Sequence, residues 1–564
     1  MRPSSNEGTL PALSASDSTS FFSLLTSDEP CDKPIAKQLR WRISAAAVLV
    51  VGAALRLYDL TLVPLHHDEG VNGKFLLKLV NDGFYQYDPQ NYHGPTLYYF
   101  AAVVPWISRL LFGKSFAEAH GLTDFTIRLT TAAFGIATVW LILILRRRIG
   151  AIAAIAGATL LALSPGAVYI SRYFIHETLF VFFMMALVIT TLRFYETARP
   201  TYLMLAAAAG ALLFATKETA IISAAVFLIA LVLTAMFVKF RKPYARGVPE
   251  PSSAAEPSVM GEHLRLAAER FGGPSSLVIS AVAALSVFLI IEILFYSSFL
   301  TNYPNGLYDA VKTLQFWKQT GEHVHVHPWS TYIFWLWQEE TALLLFGLAG
   351  LGLALWRGAN SFTIFMALCA FGMLSAYSLI PYKTPWLMLN FVVPMAVTSG
   401  YALQEIYQRA VAARLRLVAV AISIGALALS SYQMSSLNFV HYDDPSYAYV
   451  YVHTQRDIFP LLDQIDATAK RAGTGKQTAI AFASPDYWPL PWYLRNYPNV
   501  TYYTELTSFT EPIIIASPKQ VADIVTMSGT GYRLINSNVN PSGTYTLRPG
   551  VELVVFVRTD LTLE

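Results

Sequence analysis

Apolar stretches of about 20 residues recur along the chain between Trp41 and Tyr432, with short polar turns between them. A helix of about 20 apolar residues crosses the hydrocarbon core of a bilayer, which is roughly 30 Å thick. The first such stretch covers residues 43–62. The pattern therefore predicts a mainly α fold, in which residues 41–435 form a polytopic bundle of transmembrane helices.

Three polar segments lie before or inside this bundle. Residues 1–40 are rich in Ser and are predicted to form a flexible cytoplasmic tail. Residues 243–274 are rich in Pro, Ser and charge, which is typical of a flexible cytoplasmic linker. Residues 301–328 are predicted to form an outward loop that ends in three histidines.

The last part of the chain, residues 436–564, has a different pattern. Short β-prone runs at 478–482 and 551–557 alternate with a helical pattern at 457–471. The segment is long enough for a hydrophobic core of its own. We therefore predict a small extracytoplasmic α/β domain at the C-terminus.

Clusters of Lys and Arg set the orientation of the spans, because these residues are concentrated in cytoplasmic loops. The clusters lie at residues 146–148, 193–199, 239–246, 357 and 409–416. Residues 95–112 are apolar, but a crossing there would place the first cluster outside, so they are predicted to form a membrane-surface helix. The scheme gives about 11 crossings, or about 13 if short pairs are missed, with the first loop, 63–124, and the C-terminus outside.

Composition agrees with a membrane protein and excludes other classes. Of the 564 residues, 54% are hydrophobic and 14% are charged, against roughly a quarter charged in soluble domains. The two cysteines, Cys31 and Cys369, indicate neither a disulfide framework nor a thiolate metal site. The chain has no Walker loop, no dinucleotide-binding fingerprint after a strand and no zinc-protease helix. ATP-driven transport therefore has no support, and no nucleic-acid partner is predicted.

Carboxylates follow the spans on the outward side. Asp68 and Glu69 come directly after the first span, and Glu177 opens a later helix, so the three can converge. Such a group can deprotonate an acceptor hydroxyl or hold a divalent cation, Mg²⁺ or Mn²⁺. The alternative is that these residues only cap helices and complement the helix dipole. The sequence favours function for Asp68 and leaves both roles open for Glu69 and Glu177.

Cations occur at the same predicted depth: Arg172, Lys217, Lys383 and His327. A departing phosphate would attract such donors, because its charge grows as the bond breaks. They could instead form structural ion pairs or extend to anionic headgroups. The alternating histidines 323, 325 and 327 could bind a metal, but a structural or substrate-contact role is favoured over a metal site.

These features resemble the membrane glycosyltransferases of the GT-C fold, and in particular family 39, the protein O-mannosyltransferases. The resemblance rests on the Asp68-Glu69 pair, on residues 170–173 followed by Glu177, and on His327-Pro328-Trp329. A closer resemblance is to the prokaryotic flippase-activity-associated proteins. It rests on residues 66–70 (HHDEG), 93–95 (HGP), 382–387 (YKTPWL) and 485–489 (PDYWP).

The resemblance implies an inverting transferase of the cytoplasmic membrane that moves a sugar from a polyprenyl-phosphate carrier to an extracytoplasmic acceptor hydroxyl on a protein, lipid or glycan. Asp68 would be the general base, with Glu69 and Glu177 in support. The four cations named above would bind the donor phosphate. Substrate contacts are expected from His67, His93, Tyr382 and Trp386. Two features depart from family 39: Glu177 stands where Asp is typical, and the C-terminal domain replaces an accessory sugar-binding domain.

Two other functions are compatible with the same sequence. The protein could be a lipid-sugar flippase or the non-catalytic partner of one, which would move a lipid-linked sugar without forming a glycosidic bond. It could also be a scaffold whose C-terminal domain recruits other envelope enzymes.

Overall fold

The computed structural model describes residues 35–91, 93–246, 269, 272–320, 325–357, 359–506, 508–536 and 542–561. Eight of the described helices are long and apolar enough to cross a membrane: Gln38–Leu57, Asp124–Ile144, Glu177–Thr197, Ala220–Arg241, Pro274–Tyr296, Ser361–Leu379, Pro385–Arg409 and Ala413–Val440. Two bent pairs add to them: Ala151–Ala162 with Pro165–Ser171, at 60°, and Thr331–Glu339 with Thr341–Arg357, at 114°. The predicted helical bundle is confirmed.

One end of the bundle holds the basic clusters. Arg148 pairs with Glu196, and its backbone carbonyl accepts a hydrogen bond from Asn360 Nδ2 at 2.8 Å. Arg241 Nη2 donates to the carbonyl of Trp356 at 2.6 Å. The segments that carry basic residues thus meet at a common end, as the spacing of the clusters predicts.

The short apolar helix Pro200–Phe214 connects this basic end to the opposite end, where Lys217 lies. By length and composition, eight described helices can cross a membrane, or ten if each bent pair is one span, and Pro200–Phe214 is shorter than these. The figure of about 11 crossings stays a prediction. The helix Thr96–Phe112 is not a traverse, because the chain enters it beside Thr216 and returns to the same end at Leu122.

Three boundaries differ from the prediction. The first helix is Ile35–Leu57, so it begins inside the predicted tail and ends before residue 62. The helix Ala220–Arg246 extends into the predicted linker, of which residues 247–268, 270 and 271 lie outside the described residues. The predicted outward loop contains a 16-residue helix, Asn305–Thr320, because its apolar residues recur at helical spacing.

The C-terminal domain is an α/β unit, as predicted. The strands in its described residues are β1 Ile480–Phe482, β2 Val500–Tyr502, β3 Ile513–Ala516, β4 Tyr532–Leu534, β5 Thr544–Arg548 and β6 Val551–Arg558. The sheet has the order β2-β1-β3-β6-β4, and β5 also pairs with β6. Strand β1 is parallel to β2 and β3, whereas β6 is antiparallel to its partners. The helix Ile458–Arg471 packs against one face of this sheet.

Candidate active site

A cavity of about 750 Å³ lies at the end of the bundle opposite the basic clusters. Its walls come from the turns that join the spans and from the C-terminal domain. Seven of the residues predicted to form the site line it: His67, Asp68, His93, Glu177, Lys217, Tyr382 and Trp386. The structure therefore brings together segments that are hundreds of residues apart in the sequence.

Asp68 and Glu69 are adjacent but have different environments. The Asp68 side chain is 42% exposed in the cavity, and its nearest ion-pair contact among the described residues is His66 Nδ1, at 3.8 Å. The Glu69 side chain is 0% exposed and does not line the cavity. Asp68 is thus the carboxylate of the pair that a substrate can reach.

The Glu69 carboxylate accepts hydrogen bonds from several protein groups. It accepts from Arg128 Nε and Nη2, each at 2.7 Å, and from the backbone N–H groups of Phe174 at 2.8 Å and His66 at 2.9 Å. The bond from His66 belongs to a capping box at the start of the helix His67–Asp82. The capping role that the sequence left open for Glu69 is therefore confirmed. Arg128 is a partner that the sequence analysis missed.

His66 fixes the backbone at Asp68. Its Nδ1 accepts a hydrogen bond from the Asp68 N–H at 3.1 Å, so Nε2 carries the proton and donates to the carbonyl of Tyr451 at 3.2 Å. Burial lowers the pKa of His66 to about 3, so the ring is neutral at neutral pH. A neutral His66 adds no positive charge beside Asp68.

A second wall of the cavity holds an ion pair. Lys217 Nζ donates to Glu177 Oε1 at 2.5 Å, and both side chains are buried. Burial alone would lower the pKa of Lys217, but the charges of Glu177 and Glu218 hold it above its usual value. Glu218 in turn lies 3.5 Å from His93 Nδ1. Here the ion-pair alternative is confirmed, with Glu177 rather than Glu218 as the hydrogen-bonded partner of Lys217.

Arg172 and Lys383 do not line this cavity, although the sequence predicts that they bind donor phosphate. Arg172 donates to the carbonyls of Leu55, Tyr58 and Asp59, where the first span ends. Lys383 donates to the carbonyls of Ser378 and Ile380 at the end of another span. Both cations satisfy the free carbonyls of a helix C-terminus, a role that sequence position alone does not indicate.

Of the three alternating histidines, His323 lies outside the described residues. His325 lines the cavity, and its Nδ1 lies 2.7 Å from the Tyr451 hydroxyl. His327 lies 3.5 Å from the same hydroxyl and does not line the cavity. Burial lowers the pKa of both rings. These contacts favour a structural or substrate-contact role.

The described residues hold no preformed cluster of side-chain ligands for Mg²⁺ or Mn²⁺. No group of three or more His, Cys, Asp or Glu side chains in this part of the chain is arranged to hold a metal ion. Asp68 offers one accessible carboxylate, but Glu177 is occupied by Lys217. A Mg²⁺ ion here would have to complete its ligands with waters and substrate phosphates, which is how Mg²⁺ is commonly bound.

The C-terminal domain supplies residues that the sequence analysis did not predict. Arg548, at the end of β5, lines the cavity together with Tyr451 and Val452. Arg548 donates to the carbonyl of Trp488 at 3.2 Å and to the carboxylate of Asp486. Asp486 and Trp488 belong to the 485–489 motif, which was the available signal that this domain takes part in the site.

Two glycines let the domain pack directly on the helix that carries Asp68. A Cβ at Gly70 would lie 2.6 Å from Pro489 Cβ, and a Cβ at Gly73 would lie 2.4 Å from the Trp492 ring. Trp492 Nε1 also donates to Asp124 Oδ1 at 2.7 Å. The position of Asp68 therefore depends on the C-terminal domain as well as on the bundle.

Comparison with known proteins identifies the fold. Residues 101–248 match the family model described as dolichyl-phosphate-mannose-protein mannosyltransferase. The crystal structure of ArnT from Cupriavidus metallidurans bound to undecaprenyl phosphate is similar over 94% of this chain and 100% of that chain, with 14% identity and a TM-score of 0.56. The chain has the GT-C fold and is similar to the protein O-mannosyltransferases. The family match supports the predicted class, a multi-pass membrane glycosyltransferase of the GT-C type.

Two further structures are similar to this GT-C protein. The apo form of ArnT from the same organism matches 94% of this chain and 99% of that chain, with 13% identity and a TM-score of 0.54. The oligosaccharyltransferase of Archaeoglobus fulgidus, in complex with Zn and sulfate, matches 92% and 75% of the two chains, with 13% identity and a TM-score of 0.48. No curated protein matches the chain in sequence.

Proposed function

We propose that the protein transfers a sugar from a polyprenyl-phosphate donor to an acceptor hydroxyl, with inversion at the anomeric carbon, and that Asp68 is the general base. The observation that carries the proposal is the difference between the two adjacent carboxylates. Asp68 is open to the cavity, while Glu69 is bound by Arg128 and backbone N–H groups. The family match, whose description names a lipid-phosphate mannose donor, supports this class of reaction.

In the proposed reaction the acceptor oxygen attacks the anomeric carbon from the side opposite the phosphate. Its proton passes to the Asp68 carboxylate as the new C–O bond forms. The bond between the anomeric carbon and the phosphate oxygen breaks, and its electrons leave with the lipid phosphate. A base that receives the proton in the transition state typically contributes a factor of about 10²–10⁴ in rate.

The position of the cavity supports a donor anchored in lipid. The site lies where the spans end, and apolar side chains of Ile222, Ile380 and Leu387 line part of it. A polyprenyl tail could stay in the hydrocarbon while its phosphate and sugar enter the cavity. ArnT, which shares the fold, has been crystallised with undecaprenyl phosphate.

The other residues take supporting roles in this proposal. Glu69 positions Asp68 through the capping box, and Glu177 with Lys217 forms a fixed charged wall. His67, His93, Tyr382 and Trp386 line the cavity and are proposed to contact the sugars. The proposed steps use no divalent cation, and the described residues hold no preformed cluster of ligands for one.

We place the site on the extracytoplasmic side of the cytoplasmic membrane, because the basic clusters lie at the opposite end of the bundle. The acceptor is a hydroxyl on a protein, lipid or glycan. The test uses purified protein in liposomes with a panel of polyprenyl-phosphate sugars and candidate acceptors. Release of polyprenyl phosphate together with a new glycosidic bond supports the proposal. Movement of the lipid-linked sugar across the bilayer without either product would support a flippase instead.

A further inference from the structure

The cationic side chains that line the cavity differ in the carboxylates that neutralise their charge. Among the described residues, the Lys and Arg side chains in the lining are Lys217 and Arg548. Lys217 is buried, donates to Glu177 at 2.5 Å and also faces the charge of Glu218. Two carboxylates therefore compensate the single charge of Lys217, which leaves little positive potential for a ligand.

Arg548 is held differently. Its partner Asp486 has a side chain that is 50% exposed, and its second acceptor, the carbonyl of Trp488, is neutral. The Arg548 side chain is 11% exposed, so the guanidinium is held in place, while water can solvate the half-exposed Asp486 carboxylate if a ligand replaces it. A guanidinium has five N–H donors in a planar fork, so donors remain for a ligand in the cavity.

The location of Arg548 also fits contact with the substrate. The residue ends β5, and its backbone is fixed because Arg548 pairs with Val551 of β6 across a tight turn. Burial chiefly, and the charge of Arg548 in addition, lower the pKa of His67, the residue directly before Asp68. The guanidinium thus lies within electrostatic range of His67, the residue next to the proposed base.

We infer that Arg548 binds the phosphate group of the polyprenyl-phosphate donor, so that the C-terminal domain completes the donor site. This inference rests on the proposed function. A phosphate matches the fork of a guanidinium through two parallel charge-assisted hydrogen bonds. These bonds strengthen as negative charge accumulates on the leaving phosphate, which is the kind of interaction that lowers a barrier. Arg548 therefore takes the role that the sequence suggested for Arg172 and Lys383.

Binding without turnover tests the inference. Purified full-length protein in nanodiscs is titrated with a polyprenyl monophosphate, with the polyprenol of the same length and with inorganic phosphate. We expect Arg548→Gln to weaken binding of the polyprenyl phosphate at least about tenfold and to leave binding of the polyprenol unchanged. Arg548→Lys should recover part of the loss, because a lysine keeps the charge but not the fork.

Two matched variants separate phosphate binding from structural damage. Arg558 lies on the same sheet, pairs with the exposed Asp560 and does not line the cavity, so Arg558→Gln should bind as the wild type does. Asp486→Asn removes the competing carboxylate and should bind the polyprenyl phosphate at least as tightly as the wild type. If Asp486→Asn loses as much binding as Arg548→Gln, the arginine acts by holding the domain together and the inference is wrong.

The other outcomes distinguish a failure of the Arg548 inference from a failure of the proposed function. Wild-type affinity of Arg548→Gln for the polyprenyl phosphate would overturn the inference and leave the proposed function standing. The same would hold if that variant only raised the KM for the acceptor, since the arginine would then bind the acceptor. If the wild type binds polyprenyl phosphate no better than polyprenol or inorganic phosphate, the proposed function and the inference are both contradicted.

Discussion

Arg128 donates two hydrogen bonds to the Glu69 carboxylate, from Nε to Oε1 and from Nη2 to Oε2, each at 2.7 Å. Both side chains are fully buried, so water cannot take the place of either hydrogen-bonding partner. Removing one partner of a buried ion pair leaves an uncompensated charge, which typically costs about 3–5 kcal/mol. Glu69 is therefore a buried and paired carboxylate next to an accessible one.

The first prediction concerns this pair. Glu69→Gln should lower the apparent melting temperature in detergent and should reduce transfer as a consequence. The matched control is Glu118→Gln, which breaks the exposed pair with Lys114 and should change stability by less than about 0.5 kcal/mol. An unchanged melting temperature in Glu69→Gln would show that the Arg128 contact does not stabilise the protein.

The packing of the C-terminal domain gives the second prediction. In Gly70→Ala the new methyl group would lie 2.6 Å from Pro489 Cβ, so the domain or the helix His67–Asp82 must shift. Overpacking of this kind costs about 1–3 kcal/mol, and a shift of the base by an ångström can cost about 10² in rate. Gly352→Ala is the control, because a Cβ there meets no atom within 4 Å. Equal transfer by both variants would mean that the contact does not position Asp68.

The third prediction is a dependence of stability on pH. Burial lowers the pKa of His66 to about 3 and lowers that of His453 well below its usual value. In the unfolded chain these rings are protonated below about pH 6.5, whereas in the folded protein they stay neutral to a lower pH. Stability should therefore fall as the pH drops from about 7 towards 4, by up to about 1.4 kcal/mol per pH unit for each histidine.

Thermal melts in detergent at several pH values measure this effect. His453→Gln should flatten the dependence on pH, while His441→Gln, at a more exposed ring, should leave the slope as in the wild type. If the melting temperature depends on pH equally in the wild type, His453→Gln and His441→Gln, His453 is not a buried neutral ring.

The fourth prediction concerns divalent cations. Because the proposed steps use no divalent cation and the described residues hold no preformed cluster of ligands for one, transfer should persist within about twofold after treatment with EDTA. The assay follows release of polyprenyl phosphate before and after the chelator, and again after Mg²⁺ or Mn²⁺ is added back. Loss of transfer with EDTA and recovery with Mn²⁺ would place a cation in the reaction.

The sequence predicted those parts of the fold that depend on local pattern. The length of the apolar stretches predicted helices that can cross a membrane. The basic clusters indicated which turns lie at the same end of the bundle. The β-prone run around Ile480 and the helical pattern after Asp457 predicted elements of the C-terminal domain. The convergence of Asp68, Glu177 and Lys217 followed from topology, because the turns at one end of a bundle must be close in space.

The sequence could not predict which polar groups would satisfy each other. Arg128 lies 59 residues from Glu69, in the span Asp124–Ile144, and no spacing rule connects them. Arg172 and Lys383 stand at the expected depth, but their side chains turn to helix carbonyls, which depends on packing details. Arg548 reaches the cavity only because a separate domain packs on Gly70 and Gly73.

The proposed reaction depends on Asp68 as the general base. It is tested most directly by the transfer rate of Asp68→Asn in proteoliposomes, with whichever polyprenyl-phosphate sugar the wild type uses. Asp82→Asn is the control, because Asp82 ends the same helix on the exposed surface. We predict that Asp68→Asn lowers the rate by about 10²–10⁴ with an unchanged melting temperature, and that Asp82→Asn transfers normally. Near-normal transfer by Asp68→Asn would contradict the account.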